Sequence, residues 1–557
     1  MRRRRGRRRR HPTFAPSGPG SVRWLTPVHR RRRRRPPVGR IAALVVLVGV
    51  AAGAVAVVEA RRAAERDRRA TAERFAAAWA TGDLTSAWRE TTQATRADWP
   101  LRDFRSSYRA ARRAVTATRV EVGRAQAPHD GRVAVPVVVR TRLFGPLRGT
   151  LRFPVRDEDG DVRIVWAPEL RLPGLRPGEQ VRRRILRRPK RAPVLAADGS
   201  RLADEPTAAA IAGRAPNGDD PGTGLEARYD ARLAGKPGAQ LRFGDRIIAR
   251  VPVRRGHKVR TTIRPSVQRA ATAALGGQLG GVAVIRPRTG DVLALAGLAV
   301  SAPQPPGSTF KMITLSASLQ SRIASPSSSY PVQTAATLSG VRLRNASDEA
   351  CGGSLATSFA HSCNSVFAPL GARLGARRLV RFAEAFGFNE RLDIPAAKPS
   401  TIPVAAQLRD DLAVGASAIG QDRDLATPLA MASVAATIGN GGVRARPRIV
   451  RLHPVVRRRA VRKAVAHQVR DMMLGVVSGG TGAAAALPGV DVAGKTGTAE
   501  LRPTADGPID PRNTDAWFAA FAPAHRPSLA VAVMLVGAGQ GGASAAPVAR
   551  SVLAAGL

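Results

Sequence analysis

The alternation of apolar and polar positions divides the chain into segments of different character. Residues 41–58 form an unbroken apolar run. Residues 61–115 repeat apolar positions with a helical period, whereas residues 116–166 alternate or run in β-branched stretches. Gly145–Pro146 and Asp159–Gly160 have the composition of hairpin turns between those stretches. The pattern therefore predicts a helical block followed by a curved antiparallel sheet.

Regular patterns return in the second half of the chain, after an irregular stretch. Residues 204–240 are rich in Gly, Pro, Ala and Asp, which predicts a loop-rich region. Beyond it, Gly281–Leu295 predicts two strands joined by a turn at Thr289–Gly290. Helices are predicted at Thr314–Ile323, Ser354–Gly371 and Leu425–Ile438, and buried strands at Asp491–Val492 and Leu529–Val536. The sequence has no fixed-period repeat, which excludes solenoids and propellers.

The first apolar run has the length of a membrane-spanning helix. Ile41–Val58 contains 18 consecutive uncharged residues, and a helix of that length covers about 27 Å. Residues 1–40 hold sixteen arginines and no acidic residue, which places them in the cytoplasm by the positive-inside rule. Cleavage after Ala60 as a signal peptide is disfavoured, because the apolar run is too long and Arg61 would follow the cut. We therefore predict a basic cytoplasmic tail at 1–40, a single transmembrane anchor at 41–60 and an extracytoplasmic remainder.

The strong positive charge of the chain changes this prediction little. The formal net charge is +50, but the basic residues are almost all arginines and only seven are lysines. This imbalance is typical of a coding bias towards arginine and alanine. Because the arginine runs stand directly before the predicted anchor, we interpret them as a topology determinant that also contacts anionic lipid head groups. We expect no nucleic-acid partner.

Three short motifs combine a candidate nucleophile with candidate proton carriers. Ser308 stands three residues before Lys311 on a segment that continues as a helix, so the amine can accept the hydroxyl proton. Ser362-Cys363-Asn364 and Lys495-Thr496-Gly497-Thr498 follow in that order. Each motif alone could be an ordinary helix cap or turn. Two of the seven lysines, however, occupy the two motifs that need one, and the ordered triple set is typical of penicillin-binding proteins and class A β-lactamases.

At these residues the chain resembles the class B (monofunctional) penicillin-binding proteins, which are peptidoglycan transpeptidases. The resemblance implies an α/β transpeptidase domain at 256–557, like that of the serine β-lactamases, with an antiparallel sheet flanked by helices. It also implies a small loop-rich pedestal at 171–255. Residues 61–170 resemble, more loosely, the cone-shaped α+β domain of the nuclear-transport-factor-two-like type that precedes some of these enzymes.

The resemblance assigns a role to each motif residue. Ser308 is the implied nucleophile and Lys311 its base, while Ser362 relays a proton and Asn364 holds Lys311 and the substrate amide. Lys495 supplies positive potential for a carboxylate, which Thr496 and Thr498 bind, and Gly497 allows the substrate to approach closely. The backbone N–H groups of Ser308 and Thr498 form the implied oxyanion hole.

The implied activity is that of a D,D-transpeptidase that cross-links peptidoglycan stem peptides and is inhibited covalently by β-lactam antibiotics. The cytoplasmic membrane and other cell-wall synthesis proteins are the further partners that it implies. No cofactor is implied, and the eight histidines show no paired ligand spacing for a metal. The alternatives are a D,D-carboxypeptidase or β-lactamase, in which water deacylates the serine, and a catalytically silent β-lactam sensor or scaffold.

Cys351 and Cys363 are the only cysteines of the chain. Both lie outside the membrane on the predicted topology, where disulfides persist. A bridge between them would hold the loop before the second motif close to Ser362. The other interpretation is that Cys363 packs as a small buried thiol without a partner. The sequence leaves both alternatives open.

Overall fold

A computed structural model describes residues 38–501 and 510–557, and only the backbone of residues 38–52 and 511. Residues 1–37, which make up most of the predicted cytoplasmic tail, lie outside the described residues. The first twelve positions of the predicted anchor are described by their backbone alone, which is helical. Within the part of the chain whose side chains are described, no helix is long and apolar enough to cross a membrane.

The chain divides into two compact units, and the first extends to Arg182 and includes residues 243–245. Its helices and strands are α1 (Val38–Thr81), α2 (Leu84–Arg89), α3 (Gln93–Asp98), α4 (Leu101–Val115), β1 (Ala117–Val122), β2 (Arg132–Thr141), β3 (Gly145–Glu158) and β4 (Asp161–Ile164). The strands form one antiparallel sheet in the order β1-β2-β3-β4. The helical block followed by an antiparallel sheet is therefore observed, and the likeness to the nuclear-transport-factor-two-like domain stays a prediction.

Aromatic side chains from the helices and the sheet fill the core of this unit. Phe75 of α1 contacts Phe104 of α4 and Phe153 of β3, with ring centroids 6.5 and 5.1 Å apart, and all three are fully buried. Trp166 donates from Nε1 to the hydroxyl of Tyr108, 2.9 Å away, so the polar atoms of these two buried rings satisfy each other. These contacts support core packing, the simplest role for aromatic residues at such positions.

One of the two predicted hairpin turns is displaced along the chain. Thr141 pairs with Gly145, so the turn between β2 and β3 consists of residues 142–144, and Gly145–Pro146 opens the strand. The threonine hydroxyl closes the loop, because Thr141 Oγ1 donates to the Gly145 carbonyl and accepts from Phe144 N, both at 2.8 Å. Asp159–Gly160 does form the other turn, and both residues have positive φ (54° and 85°), as a tight hairpin requires.

The second compact unit comprises residues 183–242 and 246–557. The next elements along the chain are short: β5 (Val181–Ile185), β6 (Val194–Leu195), α5 (Ala209–Ala212), α6 (Gly224–Arg228), α7 (Asp230–Leu233), β7 (Ala239–Phe243), β8 (Arg246–Val251) and β9 (Val259–Arg260). The longest of them has six residues, in keeping with the loop-rich region expected at 204–240. The boundaries predicted at 170/171 and 255/256 stay predictions.

The remainder of this unit holds the largest sheet of the described chain. Its elements are α8 (Pro265–Leu275), β10 (Gly280–Arg286), β11 (Asp291–Gly297), α9 (Lys311–Gln320), β12 (Ser329–Gln333), β13 (Ala335–Leu338), β14 (Val341–Arg344), β15 (Cys351–Ser354), α10 (Leu355–Ala360), α11 (Asn364–Leu374), α12 (Ala376–Phe386), α13 (Asp411–Ala418), α14 (Pro428–Gly439), β16 (Val443–Ala445), β17 (Arg457–Arg459), α15 (Lys463–Ser478), β18 (Ala493–Glu500), β19 (Thr514–Ala522), β20 (Leu529–Leu535) and α16 (Ala545–Gly556). Five strands form an antiparallel sheet in the order β11-β10-β20-β19-β18.

Helices cover both faces of this sheet, which explains why its central strand β20 is apolar at every position rather than on alternate positions. All seven residues of the central strand β20 are buried. Val531 and Val533 pack in one core cluster with helices α8 and α16, while Ala532 and Met534 pack in the other with helix α14. The antiparallel sheet flanked by helices that the resemblance implies for this region is observed.

Several element boundaries in this unit differ from the sequence prediction. The helix predicted at Leu425–Ile438 is α14, which begins at Pro428. Helix α9 covers Lys311–Gln320 rather than Thr314–Ile323, and it ends before Ile323 because Arg322 takes a positive φ of 58°. The helix predicted at Ser354–Gly371 is two helices, separated at His361–Cys363.

The strand predicted at Asp491–Val492 instead begins at Ala493, which pairs with Phe521 of β19. Continuing that register would place Asp491 opposite Pro523. Proline has no N–H to donate, so the regular register stops there, and the Asp491 carbonyl oxygen instead accepts from the backbone N–H of Ala524 at 2.8 Å.

Candidate active site

Ser308 lies on a single turn of 3-10 helix, Gly307–Phe310, that leads directly into α9. Lys311 is the first residue of α9, and its side chain is fully buried. Lys311 Nζ lies 2.9 Å from Ser308 Oγ, so the predicted contact between nucleophile and amine is present. The serine itself is half-buried.

The second motif forms the break between α10 and α11. Ser362 takes a φ of 63°, a left-handed conformation that costs a non-glycine residue free energy and occurs preferentially at functional sites. This conformation ends α10 and directs both the carbonyl and the hydroxyl oxygen of Ser362 to Lys311 Nζ, at 2.7 and 3.3 Å. Asn364 then begins α11, and its Oδ1 lies 2.6 Å from the same nitrogen.

These distances define the orientation of the Lys311 amine in its neutral form. Burial, together with the charge of Lys495, lowers the pKa of Lys311 well below its usual value. A neutral amine has two N–H donors and one lone pair. The Ser362 carbonyl and Asn364 Oδ1 can only accept hydrogen bonds, and as the two shortest contacts they take both hydrogens. The lone pair then faces the hydroxyl of Ser308, which is the geometry that a general base needs.

Lys495 brings the third motif to the same point. It lies on the edge strand β18, is fully buried, and donates from Nζ to Ser362 Oγ at 2.9 Å. Burial lowers the pKa of Lys495 to about 7. Ser362 Oγ therefore lies between the two amines of the site, 3.3 Å from one and 2.9 Å from the other. The arrangement can pass a proton from Lys311 towards a leaving group.

The two threonines of the third motif share the other face of β18, because successive side chains on a strand point to opposite faces. Thr496 Oγ1 contacts Thr481 Oγ1 at 2.6 Å and lies 3.4 Å from Lys495 Nζ. Thr498 Oγ1 accepts a weak hydrogen bond from the backbone N–H of Gly541 at 3.4 Å. The hydroxyls of Thr481 and Thr496 therefore form a pair at the end of the site that Lys495 occupies.

Glycines allow the serine turn and β18 to touch. Gly307 has a φ of 51°, and a Cβ there would lie 2.6 Å from the carbonyl oxygen of Thr498. A Cβ on Gly497 would lie 2.9 Å from the Pro306 carbonyl and 3.0 Å from Trp517. The missing side chain of Gly497 thus accommodates the serine turn and the next strand, and its predicted role in substrate approach stays a prediction. Because the serine turn and β18 are in direct contact, Ser308 and Thr498, the two expected oxyanion donors, lie on adjacent segments.

Cys351 and Cys363 form a disulfide, with their Cα atoms 5.5 Å apart. Cys351 begins β15 and Cys363 is the residue before α11, and both are buried. The bridge therefore links the segment before α10 to the residue between Ser362 and Asn364. Of the two alternatives left by the sequence, the structure contains the bridged one.

The structure brings together all the motif residues that the sequence singled out, and it adds others. Thr481, which contacts Thr496, lies in the glycine-rich segment Gly479–Gly482, a composition that could have marked it as a close-approach loop. Phe367 and Phe359 lie under Lys311 and Lys495, 5.8 and 5.5 Å from the amine nitrogens. Their helical spacing is that of ordinary core residues, so the sequence carries no signal for this contact. Within residues 38–501 and 510–557, no cluster of His, Cys, Asp and Glu could hold a metal ion.

Comparison with known proteins identifies relatives of this site. Residues 280–554 match the family described as the penicillin binding protein transpeptidase domain. The peptidoglycan D,D-transpeptidase PbpA of Mycolicibacterium smegmatis is 36% identical over 405 residues, which cover 60% of this chain and 79% of the relative. The enzyme of the same name from Mycobacterium tuberculosis is 35% identical, over 59% of this chain and 77% of its own length.

Solved structures give the same result. The crystal structure of PBPA from M. tuberculosis aligns with a TM-score of 0.56 and 30% identity, covering 66% of this chain and 98% of that one. The penicillin G acyl-enzyme complex of that protein aligns with a TM-score of 0.55, 30% identity and the same share of this chain, and 99% of that chain is covered. Relatives of this chain are thus both named as transpeptidases and known as β-lactam acyl-enzymes.

Proposed function

The chain belongs to the family of penicillin-binding protein transpeptidases, and from this membership we propose that it is a peptidoglycan D,D-transpeptidase that β-lactams inhibit covalently. The observation that carries the proposal is the contact of Lys311 Nζ with Ser308 Oγ at 2.9 Å, in a site where burial favours the neutral amine. A nucleophile and a base within hydrogen-bond distance are what covalent acyl transfer requires.

Acylation begins when Ser308 Oγ attacks the carbonyl carbon of the penultimate D-alanine of a stem peptide. The hydroxyl proton passes to Lys311 Nζ as the new C–O bond forms. The backbone N–H groups of Ser308 and Thr498 stabilise the oxyanion. In other enzymes such donors lower the activation free energy by about 3–4 kcal/mol. Lys495, with Thr496 and Thr498, binds the terminal carboxylate.

The intermediate then breaks its C–N bond, and the departing D-alanine amine takes the proton back through Ser362, whose hydroxyl lies between both lysine amines. The product is an ester of Ser308. An amine from a neighbouring stem peptide attacks this ester, loses its proton through the same groups, and leaves the serine free with a new peptide cross-link. A β-lactam forms the corresponding ester by opening its ring, and no separate leaving group departs.

A transfer assay separates this activity from hydrolysis. Purified protein would be given a D-Ala-D-Ala donor peptide with blocked amines and a labelled acceptor carrying one free amine. We expect about one D-alanine released for each acceptor joined, because the acyl group is passed to an amine. Mass spectrometry of the products measures both quantities.

Loss of D-alanine with no acceptor incorporated, at any acceptor concentration, would assign the chain to the carboxypeptidase or β-lactamase class instead. Labelling by penicillin with neither product would favour a silent sensor. A donor ending in L-Ala serves as the matched control and should release no alanine.

We extend the proposal to the arrangement of the chain around the membrane. The apolar run Ile41–Val58 behind an arginine-rich segment supports a single-pass anchor with residues 1–40 in the cytoplasm and the catalytic residues outside. The domains assigned to 61–170, 171–255 and 256–557 would then lie outside the cytoplasmic membrane, on the side where the enzyme meets its peptidoglycan substrate. Other cell-wall synthesis proteins are the partners that fit this position.

The proposed anchor leads to an expected location for the C-terminus and an expected retention of the N-terminus. A reporter enzyme fused after Leu557 should be active only outside the cytoplasmic membrane, and the membrane-extracted protein should retain residues 1–40, because an uncleaved apolar helix holds them. Compartment-specific reporter assays and N-terminal mass spectrometry measure this. A new N-terminus near Arg61 would refute the anchor.

A further inference from the structure

Asn345 lies outside the three motifs. Its side chain is buried, and both of its polar atoms, Oδ1 and Nδ2, are hydrogen-bonded. It follows β14, at the start of the turn that leads to β15. Its Nδ2 donates to the carbonyl oxygens of Gln333 and Glu349, at 2.7 and 2.8 Å, and contacts Ser365 Oγ at 3.1 Å. Its Oδ1 accepts from the backbone N–H of Ser365 at 2.8 Å. The side chain therefore fastens the β12–β15 segment to the beginning of α11.

The bond to Ser365 makes Asn345 the cap of a helix in which it does not lie. The first N–H groups of a helix have no partner within it and are usually satisfied by the side chain of the N-cap residue. In α11 the N-cap is Cys363, whose sulfur is in the disulfide and whose side chain makes no such bond. Asn345 supplies the missing acceptor from another segment. The start of α11, where Asn364 stands, is thus fixed by a residue 19 positions earlier in the chain.

A second connection runs through the neighbouring backbone. Asn364 Nδ2 donates to the carbonyl oxygen of Arg344 at 2.8 Å. A carbonyl can only accept, so this bond fixes which end of the Asn364 amide is the nitrogen. The other end, Oδ1, then faces Lys311 Nζ at 2.6 Å. Because Arg344 directly precedes Asn345, the position of its carbonyl depends on the hydrogen bonds of the Asn345 side chain.

From these contacts we propose that Asn345 is a positioning residue for acylation. It holds both the start of α11 and the Arg344 carbonyl, and through them it keeps Asn364 Oδ1 on the Lys311 amine. Without that acceptor, one N–H of the Lys311 amine has no hydrogen-bond partner. The amine can then rotate, and its lone pair no longer points at the Ser308 hydroxyl. The inference rests on the proposed function, since it concerns how fast Ser308 is acylated.

The test measures the rate constant for acylation of the full-length protein by a fluorescent penicillin. We expect Asn345→Ala and Asn345→Asp to lower the first-order acylation constant by about 100-fold, the size of effect that misplaced catalytic groups produce. The initial non-covalent affinity should change little, because Asn345 is buried beneath the site. Asn345→Asp keeps the volume and the acceptor for Ser365, but it removes the two N–H donors and places a buried carboxylate oxygen against two carbonyl oxygens.

A double-mutant cycle separates positioning from general support of the fold. In an Asn364→Ala background the acceptor is already gone, so adding Asn345→Ala should change the acylation constant less than about threefold. A merely structural role would give independent effects that multiply. The final amount of label reports the folded fraction, so partial unfolding lowers the amplitude and leaves the rate constant to report positioning.

Asn389 offers a matched control. It also clamps a loop, accepting from Ile402 N at 3.1 Å and donating to Ile402 O at 3.2 Å, but it contacts none of the motif residues. Asn389→Ala should acylate at the wild-type rate. If both Asn345 variants also acylate at the wild-type rate, or if their effects multiply with that of Asn364→Ala, the positioning role is wrong while the proposed function stands. If the wild-type protein takes no label, the proposed function itself fails.

Discussion

Ser308→Ala should abolish covalent labelling by penicillin and the release of D-alanine, with no residual acyl-enzyme. The methyl group cannot attack a carbonyl, and the hydroxyl of Ser362, the other serine of the motifs, already accepts from Lys495. Gel fluorescence after incubation with a labelled penicillin measures the loss. The expected effect is the largest of any single substitution, since both half-reactions pass through the Ser308 ester.

The fold should survive this change. Ser308 is half-buried on a short turn, and its removal leaves Lys311 with its contacts to Ser362 and Asn364. The unfolding temperature should therefore stay close to that of the wild type. Ser301→Ala, an exposed serine on the same connection between β11 and α9, is the matched control and should label normally. Unchanged labelling of Ser308→Ala would mean that another residue is the nucleophile.

Lys311→Ala should slow acylation by about 10²–10⁴-fold, the range seen when a general base is removed, and leave a slow reaction. Lys311→Arg should be slowed as well, because a guanidinium keeps the positive charge but does not give up its proton. The acylation rate constant with excess labelled penicillin measures both. Lys398→Ala, at an exposed lysine of the same unit, is the control and should react as the wild type.

The pH profile of acylation adds a second readout for Lys311. Burial and the charge of Lys495 lower the pKa of Lys311, which favours the neutral amine, and the amine gains a proton as the pH falls through that lowered pKa. The wild-type rate should therefore fall on the acidic side. In Lys311→Ala that fall should disappear, since the group that titrates is gone. A rate that declines with acid equally in both proteins would assign the titration to another group.

The chemistry of the site was predictable because each motif is local. Ser308 and Lys311 are close through the turn of one helix, and the lysines are rare enough to mark their motifs. What joins the motifs was not predictable, because it depends on the path of the chain between them. Asn345 lies in a polar stretch like many others, and its role appears only when β14 is seen beside α11.

The errors in the predicted elements have related physical causes. The apolar pattern of Ser354–Gly371 continues through the motif, but the left-handed Ser362 divides it into two helices, and no periodicity signals a positive φ. The strand near Asp491 was placed too early because burial of Val492 looks like strand pairing, whereas Pro523 interrupts the regular register. Local patterns define which residues are buried, and backbone partners from distant segments decide where elements begin.

The most direct test of the central claim is to find the atom that penicillin acylates. The purified protein would be incubated with penicillin G, digested and mapped by mass spectrometry. We expect one adduct per chain, of the full mass of the antibiotic, on the peptide that contains Ser308 and on that residue. An adduct on any other residue, or none on a correctly folded protein, would contradict it.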